Sequence, residues 1–184
     1  MSFGITKDVN LEPGKNIYLL GFMGSGKTTV GRLLATQLNR SFIDLDSEIQ
    51  INEGRTISEI FQVFSESYFR QVEHNELIKQ TKSNKIVLAC GGGTPCFFDN
   101  LVQMQKTGIM VYLKYDFPLL FHRISNVRYG NRPIVTNNSK IKLENLFNQR
   151  QVFYESADII IYSGENSTPE SISNLIIEKI GIKL

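Results

Sequence analysis

Short apolar runs recur along the chain between longer stretches in which apolar residues return every third or fourth position. The runs predict strands at residues 16–20, 41–44, 85–89, 108–113 and 158–162. Ile86-Val87-Leu88-Ala89 and Ile159-Ile160-Ile161 are apolar without interruption, as expected of parallel strands covered on both faces. The periodic stretches predict helices at residues 27–39, 57–80, about 98–107, 117–125, 140–156 and 169–180. In the first of these, Val30, Leu33, Leu34 and Leu38 fall at helical spacing. Strands and helices alternating in this order predict an α/β sandwich with ligands at the carboxyl ends of the strands. Residues 126–139 break the pattern. They are rich in Asn, Gly, Pro, Ser and Arg and form a connection of the length expected of a lid or a disordered segment.

Between the first strand and the first helix lies Gly21-Phe22-Met23-Gly24-Ser25-Gly26-Lys27-Thr28, which fits the phosphate-loop pattern G-x-x-x-x-G-K-[ST]. A strand, a glycine-rich turn and a helix N-terminus aim several backbone N–H groups at one anion. Lys27 is placed to reach the β- and γ-phosphates, and the Thr28 hydroxyl to ligate Mg²⁺. A glycine-rich turn without a ligand is the bland alternative, and the flanking strand and helix weigh against it. A nucleoside triphosphate is the expected ligand.

Composition narrows the class further. At 184 residues, one domain spanning 1–184 is expected, large enough for a substantial core. The 20 basic and 18 acidic residues are evenly spread and leave a net charge of +2, too little to call for nucleic acid or a membrane surface. The first ten residues lack a signal-peptide pattern, and no apolar run reaches membrane-spanning length, so a soluble, cytoplasmic protein is expected. Cys90 and Cys96 flank a glycine-rich turn far in sequence from His74 and His122, and are expected to be reduced, partly buried thiols.

Further chemistry clusters at predicted strand ends. Asp44 and Asp46, in Phe42-Ile43-Asp44-Leu45-Asp46, fall on one side of the chain if strand alternation continues. Near a Mg²⁺-nucleotide, one could hold metal-bound water while the other accepts a proton from a substrate hydroxyl. The alternative makes Asp46 a helix N-cap. Cys90-Gly91-Gly92-Gly93-Thr94-Pro95 offers either a concave patch of backbone donors or a flexible turn. Arg70 sits among Phe61, Phe64 and Phe69 with Glu73 one turn on, as a carboxylate clamp or as one half of a surface pair. Arg150 poses the same choice on a later helix. Within the lid, Arg132-Pro133 supplies the best candidate for a phosphate-contacting arginine; Arg123 and Arg128 are weaker ones.

Together these residues resemble the shikimate kinase family. The likeness rests on Gly-Phe-Met-Gly-Ser-Gly-Lys-Thr-Thr, Phe-Ile-Asp-Leu-Asp, Phe-Arg-x-x-Glu, Gly-Gly-Gly, Asn-Arg-Pro and Arg-x-x-x-Tyr, in order from about Asn16 to Leu184. The resemblance implies a three-layer α/β/α sandwich with a five-stranded parallel sheet. This is the P-loop fold of nucleoside monophosphate kinases, with substrate-binding helices at about 46–80 and a mobile lid at about 124–139. It implies transfer of the γ-phosphoryl of ATP to the 3-hydroxyl of shikimate, with Mg²⁺, in the path to chorismate and aromatic amino acids, by a protein expected to be a monomer. It also distributes roles. Lys27 and the backbone of Gly24, Ser25, Gly26, Thr28 and Thr29 would cradle the phosphates. Thr28 would bind Mg²⁺ directly and Asp44 through water. Asp46 would hold the shikimate hydroxyls and accept a proton, Arg70 and Arg150 would grip its carboxylate, and the Gly92 N–H would bind a ring hydroxyl. Glu73 would position Arg70; Ile57, Phe61 and Phe69 would pack on the ring; Arg132 would close from the lid.

The chain departs from the family pattern in places. Cys90 stands where a small hydroxyl residue is common, and the segment from Arg123 to Arg132 is longer than in many members, leaving Arg123 and Arg128 both open as adenine contacts. The segment 164–169 is expected to border the adenine. Rival readings are another small-molecule kinase of this fold, acting on gluconate or a nucleoside monophosphate, a GTP-dependent switch, and a non-catalytic relative. The switch lacks an Asn-Lys-x-Asp motif, and Lys27, Thr28, Asp46 and Arg132 weigh against the last.

Overall fold

The computed structural model describes residues 11–126 and 140–181. Its five strands are β1 (Asn16–Leu20), β2 (Ser41–Asp44), β3 (Ile86–Ala89), β4 (Gly108–Lys114) and β5 (Ile159–Tyr162). All pair in parallel, in the order β2-β3-β1-β4-β5. The described helices are α1 (Lys27–Gln37), α2 (Leu45–Glu53), α3 (Ile57–Val63), α4 (Glu66–Thr81), α5 (Asn100–Thr107), α6 (Phe117–Asn126), α7 (Lys140–Tyr154) and α8 (Pro169–Lys179). Helices flank the sheet: α1 packs on α8, α4 on α2 and α5, and α6 on α7. This is the expected α/β/α sandwich.

Every residue of the central strand β1 is buried, and Ile17 is in register with both Val87 of β3 and Ile109 of β4. The one polar side chain there, Asn16, is satisfied. Its Oδ1 accepts from the Ile86 N–H at 3.2 Å and its Nδ2 donates to the Ser83 carbonyl at 2.8 Å. From β1 the chain moves to one edge of the sheet, and from β4 to the other. The carboxyl end of β1 therefore opens into a crevice between diverging connections, the usual ligand position in such sheets.

Two expectations are corrected. The helix expected at 57–80 is two helices, because Phe64 is extended (φ −118°, ψ 178°) and Ser65 starts a new cap, its Oγ accepting from the Tyr68 N–H at 3.2 Å. A further helix, α2, begins directly after β2. Asp44, not Asp46, is its N-cap, accepting from the Ser47 N–H at 3.2 Å. Asp46 lies in the first helical turn, so strand alternation does not relate the two carboxylates. Smaller shifts follow from backbone angles: Asn39, Lys85 and Phe98 take left-handed φ of 51°, 56° and 51° and fall outside the helices and strand expected to contain them.

Candidate active site

The phosphate-loop sequence forms the turn from β1 into α1. Gly21, Gly24 and Gly26 take φ of 146°, 79° and 85°, angles at which a side chain would be strained. Gly26 is the N-cap of α1, so this helix begins without a capping side chain, whereas α3 and α8 carry full capping boxes from Thr56 and Thr168. Its first N–H groups and the positive end of its dipole face the loop. Lys27 Nζ donates to the Gly21 and Phe22 carbonyls at 2.8 and 3.1 Å. Thr28 Oγ1 donates to Asp44 Oδ2 at 2.7 Å, which brings a hydroxyl and a carboxylate together beside the loop. Gly24, Gly26, Lys27, Thr28, Thr29 and Asp44 line one cavity. Ser25 is set apart. Its N–H closes the turn onto the Phe22 carbonyl at 3.3 Å, and its buried hydroxyl has no partner among the described residues.

A second cavity adjoins the first, lined by Ile57, Phe61, Phe69, Arg70, Glu73 and Arg150. Met23, Asp46, Gly91 and Gly92 line both. Residues from α2, α3, α4, the β3–α5 turn and α7 thus converge on one space. On α4, Phe69, Arg70, Glu73, Glu76 and Leu77 recur at helical spacing on the buried face, which places a cation and a carboxylate where apolar residues are the rule. Arg70 is only 5% exposed and is held on several sides. Its Nη1 donates to Glu73 at 2.8 Å, its Nη2 and Nε to Glu66 at 3.0 and 3.2 Å, and its guanidinium lies 4.2 Å from the Phe97 ring centroid. Arg150, 7% exposed, makes no ion pair among the described residues. A buried cation lining a cavity and making no ion pair among the described residues favours an anionic ligand.

The glycine triplet supplies space. A Cβ on Gly91 would lie 2.7 Å from Glu73 and 2.8 Å from Asp46, and one on Gly93 only 2.5 Å from Arg70. Glu73 also accepts from the Thr94 hydroxyl at 2.7 Å, and the Thr94 carbonyl accepts from Asn100 Nδ2 at 2.8 Å. Burial pushes the Glu73 carboxyl above its ordinary range, against the pull of Arg70 and Thr94. Cys90 is buried behind the loop, its thiol pushed up by burial and set against the Met104 sulfur at 3.7 Å. Cys96 is half-buried and pushed up to about 11 by burial. Both thiols are free.

The structure brings Asp46, Arg70, Gly92 and Arg150 around one cavity and Gly24, Gly26, Lys27, Thr28 and Thr29 around the other. Arg123 lies 4.4 Å over the Tyr115 ring, while Arg128, Arg132 and nearly all of the lid at 124–139 fall outside the described residues. Glu66, Phe97, Thr94 and Asn100 were missed. Only Glu66 carried a signal, four residues before Arg70 on one helix; Phe97 meets Arg70, Thr94 meets Glu73 and Asn100 meets Thr94 and His74 through the fold.

The strand order, the loop from β1 into α1 and the adjoining second cavity define a P-loop kinase of small molecules. The sequence profile described as Shikimate kinase matches residues 23–181. This chain belongs to the shikimate kinase family. It is 39% identical over 166 residues to a shikimate kinase from Persephonella marina, covering 90% of this chain and 99% of that one. Among solved structures, a shikimate kinase from Bacteroides thetaiotaomicron superposes with a TM-score of 0.82 at 33% identity, covering 91% of this chain and 99% of the other. One from Acinetobacter baumannii, in complex with shikimate, gives 0.82 at 37% identity, covering 89% and 92%.

Proposed function

We propose that this protein transfers the γ-phosphoryl group of ATP to the 3-hydroxyl of shikimate, giving shikimate 3-phosphate and ADP. The observation that carries this reading is the wall shared by the two cavities. Asp46 belongs to both, so it stands between a phosphate-binding loop and a pocket built for a small anion. In the second cavity Arg70 and Arg150 receive the shikimate carboxylate, and Ile57, Phe61 and Phe69 cover the ring. The Gly92 N–H takes a ring hydroxyl. Asp46 orients the 3-hydroxyl and accepts its proton as the oxygen forms its bond to the γ-phosphorus and the bond to the bridging oxygen of ADP breaks.

On the donor side, Lys27 and the N–H groups of the loop and first turn of α1 neutralise the phosphates. Thr28 and Asp44 offer hard oxygen donors, paired at 2.7 Å, that suit Mg²⁺, Thr28 directly and Asp44 through water. Mg²⁺ held by Thr28 and Asp44 would supply charge neutralisation at the phosphates. Arg132, which lies outside the described residues, would add a further cation at the phosphates. Two arginines on one carboxylate fix the acceptor in line, and positioning with charge neutralisation is most of what phosphoryl transfer demands.

The test is a coupled ADP-release assay with ATP and Mg²⁺, offering shikimate, gluconate and AMP in parallel. Turnover with shikimate alone is expected. Turnover with gluconate or AMP while shikimate is inert would sink the assignment.

A further inference from the structure

Arg150 and Tyr154 sit one turn apart on α7, and both reach the glycine triplet. Tyr154 is fully buried, and its hydroxyl donates to the Gly92 carbonyl at 2.5 Å. The Arg150 guanidinium lies beside this hydroxyl, whose one proton is already given to Gly92, so the oxygen's lone pairs are what it offers the cation. The three groups meet closely: a Cβ on Gly92 would lie 3.3 Å from Arg150 Nη1 and 3.7 Å from the Tyr154 oxygen. The Tyr112 ring of β4, 5.1 Å away between centroids, backs the Tyr154 ring from the sheet.

We propose that Tyr154 is a positioning residue for the acceptor: one hydroxyl couples the carboxylate-gripping Arg150 to the backbone of the triplet that binds a ring hydroxyl. This rests on the reading of the second cavity as the shikimate pocket. The donated bond fixes the plane of the Gly92–Gly93 peptide, and the same hydroxyl oxygen faces a buried guanidinium that makes no ion pair among the described residues. Two recognition groups on different elements, α7 and the β3–α5 turn, thereby keep one spacing, that between the carboxylate and a hydroxyl of one small ring. Burial raises the phenol far above neutral pH, so the hydroxyl keeps its proton at any working pH.

Tyr154→Phe removes the hydroxyl and keeps the ring. Tyr112→Phe is the matched control, since the Tyr112 hydroxyl is buried too but has no partner among the described residues. In steady-state assays Tyr154→Phe is expected to raise the shikimate KM by about 10- to 100-fold, the range for losing a hydrogen bond to a charged group. The ATP KM should stay within about twofold, and kcat should fall less than KM rises. Tyr112→Phe should leave the shikimate KM unchanged. A merely structural role would lower thermal stability in Tyr154→Phe and leave the shikimate KM in place, and that result overturns the proposal. So does an equal rise in both variants, or a joint rise of the ATP and shikimate KM values. If Tyr154→Phe does not fold, 4-aminophenylalanine at 154 keeps a donor for Gly92 but is a poor acceptor for Arg150. A raised shikimate KM in that protein supports the coupling, and an unchanged one overturns it. Wild-type protein inert toward shikimate would be a different failure, removing the assigned acceptor and this proposal together.

Discussion

At the scale of single residues, the triplet Gly91-Gly92-Gly93 and the loop glycines differ in why they are glycine. Those at 21, 24 and 26 take left-handed angles, whereas none of the triplet does. Asp46 and Glu73 occupy the volume a side chain would need at Gly91, and Arg70 that at Gly93, while one at Gly92 would press on Arg150. Asp46 is the group on which the proposed chemistry depends. Asp46→Asn keeps size and polarity but loses the proton acceptor, so kcat should fall by about 10²-fold or more with the fold intact. Near-normal turnover would remove Asp46 from the mechanism.

Glu73 makes a prediction about pH. A carboxyl raised above its ordinary 4.5 holds its proton more tightly in the folded chain than in the unfolded one. Its contribution to stability is complete below 4.5 and is lost as pH rises through the raised value. Glu73→Gln removes that contribution. The stability of wild type relative to Glu73→Gln, from denaturant titrations at several pH values, should therefore fall as pH rises from about 4.5. A relative stability that climbs with pH would mean that attraction to Arg70 outweighs the cost of burying the carboxylate.

Among elements, contact between strands constrains residues that look incidental in sequence. Gly108 opens β4 opposite Asn16 of β1, and a Cβ there would lie 2.3 Å from the Asn16 carbonyl oxygen and 2.7 Å from the Tyr18 ring. Backbone inside a sheet cannot step aside as a flexible side chain can. Gly108→Ala should cost about 2 kcal/mol or more, near the upper end for overpacking, and lower Tm by roughly 5 °C in a chain of this size. Unchanged Tm would show that the β1–β4 register relaxes.

The strands, the loop and most helices were legible because each follows from a local pattern: apolar runs, glycine spacing or a helical period. The break between α3 and α4 was not, because Phe61, Phe64 and Phe69 carry the apolar signal across it and only the modest cap of Ser65 marks it. Asp44 and Asp46 were recognised as a pair for the wrong geometric reason, since a helix starting at Leu45 replaces the strand that alternation assumed. In the site, Asp46, Arg70, Gly92 and Arg150 were named because they fall in a recognisable ordered set of motifs. Thr94, Asn100 and Phe97 were not, since what matters about them is contact with α4 across the fold.

For the whole molecule, the two cavities have one common wall, and the proposed division of ligands between them can be read in stability. A ligand that binds only the folded protein stabilises it by about 2.7 kcal/mol at a hundredfold excess over its Kd. For this size of chain that is a rise of roughly 5–10 °C in Tm. Arg150 lines the acceptor cavity and is absent from the lining of the phosphate-loop cavity. Arg150→Ala should therefore retain the rise produced by Mg-ADP and lose most of that produced by shikimate. Its shikimate KM should increase while its ATP KM stays near the wild-type value. Comparing each ligand's shift within one protein cancels whatever the substitution does to stability itself, which matters for a buried cation. Loss of the Mg-ADP shift would instead place Arg150 at the nucleotide, and the common wall at Asp46 would then join two halves of a single nucleotide site.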